Sequence, residues 1–241
     1  MSQINVEENN FKVYLPDSFN YLKEDLENHL KKKIKEITTF MRIDEYEQVR
    51  IFLDDNLESF TKMCKGKYPM TTLAGAFGYD NVKVYADNSV STERIFNCIS
   101  HELVHLLYQN HVQEKGIQNR VIWFDEGLAT NLSGEHDKDN LNEYLEKKIF
   151  NKDKIIPNIS FLNVHGCNYG QFIDTKTNKY NGYAWSYIML KYLIDTMDTQ
   201  ELQYLMRHKE KIKKLEKTII NDTYNYYREN SRSKYGTVSI L

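Results

Sequence analysis

Residues 101–105 read His101-Glu102-Leu103-Val104-His105, two histidines four positions apart with a glutamate beside the first. On an α-helix, positions i and i+4 share one face, about 5–6 Å apart, so both imidazoles reach one metal ion. Glu102 is then placed to take a proton from a water polarised by that ion. The flanks predict such a helix. Ser91 and Thr92 supply a polar start, and Ile95, Cys98, Ile99, Leu103, Leu106 and Leu107 recur at helical spacing. Cys98, three residues before His101, shares the side of the histidines and reads as a small buried residue beneath them.

A catalytic zinc ion takes three protein ligands and keeps one position for water. Two residues compete for the third place. His111 completes the spacing of the HExxHxxGxxH pattern, but Tyr108 stands where that pattern carries a glycine for its turn. An aromatic side chain does not accept the positive φ that a glycine accepts there. The other candidate lies in Trp123-Phe124-Asp125-Glu126-Gly127-Leu128-Ala129. There the apolar residues anchor a second helix, the small Gly127 and Ala129 allow close packing, and Glu126 or Asp125 offers a carboxylate. Asp125 reads as the fallback ligand or as a partner for a ligating histidine.

The second segment closely resembles the W-x-x-E-G-x-A stretch of gluzincin metallopeptidases, especially the M1 aminopeptidases and the smaller peptidase MA-like proteins. The resemblance implies Glu126 as third zinc ligand, after an intervening stretch of residues 106–125. It also implies a zincin-like (thermolysin-like) catalytic domain with one catalytic Zn2+ held by His101, His105 and Glu126. Glu102 becomes the general base and Tyr183, opening the apolar helix of Ala184–Leu193, the donor to the developing oxyanion. Tyr180 and His165 are alternatives for that donor. Upstream, Ala74-Gly75-Ala76-Phe77-Gly78 falls where these families use an edge strand to hold an extended substrate. Gly78 stands where the aminopeptidases carry the glutamate that grips a free α-amine, with Asp80 nearby but shifted. This departure points to an endopeptidase. The resemblance covers roughly residues 70–195.

The elements needed to position these groups follow from periodicity. Phe11–Leu15 alternates as a strand ending at Pro16. Asp17 to about Met41 carries one helical stripe, and Val49–Leu53 and Val82–Tyr85 read as strands. Helices are expected over Asn56–Cys64, Phe124–Leu132, Asp139–Phe150, Tyr183–Thr196, Thr199–Arg207 and about Lys211–Asn221. Asp198, with Glu201 three residues on, begins the second last of these as a capping box. Residues 151–180 read as loop and 231–241 as a mobile tail. Strands and helices therefore mix before His101 and helices follow. The expected class is α+β, one metallopeptidase domain over 1–241. Lobe 1 spans about 1–112 and lobe 2 about 113–230, with the cleft between them and no parallel βαβ repeat.

Composition narrows the functions. The chain has 241 residues, 41% hydrophobic and 27% charged, with a net charge of −2. That balance suits a soluble globular protein and argues against a nucleic-acid binder. Lys31-Lys32-Lys33 and the Lys211–Lys217 cluster, mixed with glutamates, read as solvated helix faces. No apolar run reaches the ~18–20 residues of a membrane span. The polar, acidic Met1–Glu8 stretch has no signal-peptide pattern, and Cys64, Cys98 and Cys167 lack disulfide or CxxC spacing. A cytoplasmic location is expected, a secreted protein with its leader removed being the alternative. The expected partner is a peptide or protein substrate. Two rivals remain: a metzincin-type peptidase with His111 as third ligand, and a non-catalytic zinc- or peptide-binding protein on a protease-like fold.

Overall fold

The computed structural model describes residues 2–6, 10–63, 74–87, 89–113, 120–134, 156 and 182–234. The helix expected over 139–150, most of the 151–180 stretch with His165 and Tyr180, Cys64, Cys167 and the end of the expected tail lie outside them. The chain divides into two compact units, Met1–Lys115 with Leu132–Glu135, and Gly116–Asn131 with His136–Leu241.

The first unit is built on a five-stranded sheet in the order β1-β2-β3-β5-β4. Its strands are β1 (Ser2–Val6), β2 (Phe11–Leu15), β3 (Val49–Asp54), β4 (Ala74–Phe77) and β5 (Asn81–Tyr85). Alternation explains which face is covered. Phe11, Val13, Leu15, Val49, Ile51, Leu53, Val82 and Val84 are buried, while Lys12, Tyr14, Arg50, Phe52 and Lys83 between them are half-buried. Helix α1 (Lys23–Met41) supplies the stripe Leu26, Leu30, Ile34, Ile37 and Met41, all buried, and packs against α3 (Thr92–Leu107). Helix α3 in turn lies against β4 and β5. The short α2 (Leu57–Met63) follows β3.

Two expectations are corrected here. Asp17–Leu22 is a 3₁₀-helix leading into α1, since Phe19 and Leu22, three apart, stack one above the other on a three-residue turn and are both buried. A strand–helix–strand unit is present: β2 and β3 are parallel across α1, and β3 pairs parallel with β5. Alternation sets a strand's faces but not its direction, and α1 is long enough to return the chain for a parallel neighbour. Ser2–Val6, to which the sequence pattern assigns no element, is a strand antiparallel to β2.

The second unit is helical among its described residues. It contains α4 (Ile122–Ser133) as far as Asn131, α5 (Gly182–Thr196), α6 (Thr199–Arg207) and α7 (Lys209–Lys234). Asp198 caps α6 by accepting from the Gln200 amide at 2.7 Å. The last helix runs well past Asn221, to Lys234, so the expected tail begins inside a helix. Ile212, Ile219, Ile220, Tyr224 and Tyr227 form its buried stripe. None of the described helices is long and apolar enough to cross a membrane.

Candidate metal centre

Helix α3 starts where the sequence predicts. Ser91, extended at φ −65° and ψ 149°, accepts from the Arg94 amide at 3.2 Å, satisfying one of the first-turn donors. The buried face of Ile95, Ile99, Leu103 and Leu106 then fixes the helix's rotation, and with it the direction of His101 and His105. A further bond holds that rotation: Ser100 is fully buried, and its Oγ lies 2.8 Å from His29 Nε2 on α1. Burial, with the nearby Lys33 cation, lowers the His29 pKa to about 4, while Glu36 opposes the shift. His29 is therefore a neutral ring near pH 7, suited to one hydrogen bond with a hydroxyl.

The two histidines converge as the i, i+4 spacing requires. Their Nε2 atoms are 3.1 Å apart, and their rings meet at 76° with centroids 4.8 Å apart. Two donors bound to one ion at about 2.0–2.1 Å in a tetrahedron stand about 3.3 Å apart, so the observed spacing needs little adjustment. His101, His105 and Glu126 form a group whose ligand atoms all lie within 4.8 Å of one another. His105 and Glu126 are buried, at 6% and 8% exposure, and His101 is half-buried. Two imidazoles and one carboxylate can chelate a divalent metal. The imidazoles disfavour Mg2+ and Ca2+, which take oxygen ligands.

Within its own unit, Glu126 is positioned by packing around α4. Trp123 and Phe124 are fully buried, and Trp123 Nε1 donates to Glu216 Oε1 on α7 at 3.0 Å. Gly127 lies so close to α5 that a β-carbon there would stand 2.5 Å from the Ser186 carbonyl oxygen. Asn131 Nδ2 donates to the Tyr187 carbonyl at 3.0 Å. Arg120, just ahead of the helix, donates from Nε to Asp125 and from Nη2 to Glu126 Oε1 at 3.0 Å. Asp125, fully buried, is thus engaged with arginine and stands outside the converging group.

Glu102 is half-buried on α3, and Tyr183 is half-buried in the first turn of α5. His111 lies outside the converging group. At Tyr108 the chain does not turn back but continues as a π-helical turn, Tyr108–Val112, closed by Gln113 N donating to Tyr108 O at 3.0 Å. Burial lowers the His111 pKa, with Glu47 opposing. Cys98 is buried and is likewise outside the group.

Strand β4 is an edge of the sheet, antiparallel to β5, and Gly78 begins the turn that joins them with φ at 67°. A glutamate would be strained in that backbone conformation, which accounts for the glycine. The bond from Asn110 Nδ2 to the Tyr79 carbonyl, 3.0 Å, ties this turn to the π-helical one.

Sequence reasoning did not single out Arg120, His29 or Glu216. For Arg120 a signal existed: the adjacent acids Asp125 and Glu126 sit in an otherwise apolar helix start and need a cation within reach. Nothing in the spacing of His29 or Glu216 marks their partners, which lie 71 and 93 residues away. No family model matches the chain, and no curated protein matches it in a sequence search.

Proposed function

We propose that this chain is a zinc-dependent peptidase with a zincin-like catalytic domain. The observation that carries the reading is the convergence of His101, His105 and Glu126 next to an acid, Glu102, on the histidine-bearing helix. The three would hold one zinc ion, an arrangement that leaves a fourth position for water or substrate. The ion, when bound, supplies Lewis acidity that activates water near neutral pH and polarises a carbonyl.

The chain's own residues supply the proton traffic. Glu102 accepts the proton of the attacking water at its carboxylate and later delivers it to the leaving amine. Tyr183, at the start of α5, donates its hydroxyl to the oxygen on which negative charge develops. Ala184 and Trp185, both buried, anchor the start of that helix. With Gly78 in place of an amine-gripping acid, the substrate is an internal stretch of peptide and the enzyme an endopeptidase.

The test pairs metal content with turnover of a diverse peptide library. Glu102→Gln should retain zinc and lose about 10²–10⁴-fold in kcat/KM. His101→Ala and Glu126→Ala should purify without zinc, whereas His111→Ala should keep it. Undiminished turnover by Glu102→Gln would remove the general-base assignment, and zinc lost from His111→Ala but not from Glu126→Ala would move the third ligand.

A further inference from the structure

Arg120 bridges the two neighbouring carboxylates near the start of α4. Its Nε donates to Asp125 Oδ2 and its Nη2 to Glu126 Oε1, the latter at 3.0 Å. The Arg120 side chain is only 24% exposed, and Asp125 is fully buried. Consecutive side chains leave a helix about 100° apart, so one rigid fork that serves both must restrict both rotamers. A charge-assisted bond to one carboxylate oxygen also sets the plane of the group and directs its second oxygen. Asp125 offsets the guanidinium's charge, so the orienting group adds little net positive charge beside a cation.

We propose that Arg120 is a positioning residue of the metal centre: it holds Glu126 by Oε1 and so presents the carboxylate to the ion as a one-oxygen ligand. This rests on the assignment of Glu126 as a ligand. It assigns Arg120 and Asp125 together the role of keeping the coordination number low, with a position left for substrate.

The experiment uses the full chain. Zn2+ affinity is measured by competition with a chelator, the visible absorption of the Co2+-substituted protein is recorded, and the metal-free protein is unfolded in urea. Arg120→Met should weaken Zn2+ binding by about 10–100-fold, the usual effect of losing a group that orients a ligand. Its Co2+ spectrum should lose intensity as Glu126 engages through both oxygens and the coordination number rises. Arg120→Lys keeps the charge without the fork. It should fold, recover part of the affinity and still show the altered spectrum, and it carries the test if the methionine variant fails to fold. A merely structural arginine would lower the urea midpoint and leave the affinity and Co2+ spectrum of the folded variants at wild-type values; that result overturns the proposal. A Glu126→Ala chain that binds Zn2+ as tightly as the wild type overturns the ligand assignment instead, and the proposal with it.

Discussion

Helices α3 and α4 carry the converging donors by different means. In α3 the two histidines are aligned chiefly by helical geometry itself, through their spacing, an N-cap at Ser91 and an apolar stripe, with one long-range bond from Ser100 to His29. In α4 the donor depends on partners scattered along the chain. Trp123 reaches Glu216, Gly127 abuts Ser186, and Asn131 reaches the Tyr187 carbonyl. One helix is specified chiefly locally and the other by tertiary packing, so substitutions of similar size should have unequal effects.

The largest expected effect is at Trp123. Trp123→Ala should destabilise the protein by about 3–5 kcal/mol, from the cavity left in a fully buried site. Trp123→Phe, which removes chiefly the donor to Glu216, should cost about 1–3 kcal/mol. Urea denaturation read by far-ultraviolet circular dichroism distinguishes the two. If Trp123→Ala cost no more than a change at the α3 cap, the contrast between the helices would fail.

Gly127→Ala sharpens the comparison because helix propensity predicts the opposite sign. In an open helix interior, alanine is favoured over glycine by about 0.5–1 kcal/mol. Here the added methyl meets a backbone carbonyl at 2.5 Å, so the helices must separate. A net loss of about 1–3 kcal/mol is expected by analogy with overpacking, together with weaker zinc binding. A stabilised Gly127→Ala variant would show that the contact yields easily.

His29 provides a test of α3 that depends on pH. The ring's folded pKa is about 4 against 6.5 for the ordinary group. Its contribution to stability is therefore complete above about pH 6.5 and declines as pH falls toward 4, where the unfolded chain binds the extra proton. Allowing for partial exposure of the ring, the decline is on the order of 1–2 kcal/mol. His29→Gln keeps a neutral hydrogen-bonding group, so metal-free wild type and variant should differ in urea midpoint more at pH 7 than at pH 4.5. Parallel curves for the two would remove this role for the ring.

Ser91→Ala should have the smallest effect, about 1 kcal/mol, because it removes one cap bond at an exposed helix start. The variant should leave zinc content unchanged.

The same contrast explains what was readable beforehand. The α3 motif, the cap at Ser91, the stripe of α1 and the extent of α6 are periodic or local features, and all were legible. The strand direction of β2 and β3 was not, since both parallel and antiparallel pairing satisfy the same alternation. The 3₁₀ segment before α1 escaped because Phe19 and Leu22 also fit an α-helical stripe. Strand β1 was hidden by the polar residues Ser2, Gln3 and Asn5, whose backbones pair with β2 regardless of side chain. The π-helical turn at Tyr108–Val112 has no composition signal, although Tyr108 in place of a glycine weighs against the metzincin turn there. For the site, resemblance rather than periodicity singled out Glu126. The arginine beside it follows only from the need to neutralise buried acids.

The bond between Trp123 and Glu216 spans 93 residues, and it bears on how the protein is made. At about 5–20 residues per second of ribosomal synthesis, Glu216 is added roughly 5–20 s after Trp123. During that interval the nascent chain can wind α3 and align its two histidines, while α4 lacks the residue that receives its tryptophan. A divalent metal that meets the nascent chain early would thus find the His101, His105 and Glu126 group incompletely supported until the last helix has emerged.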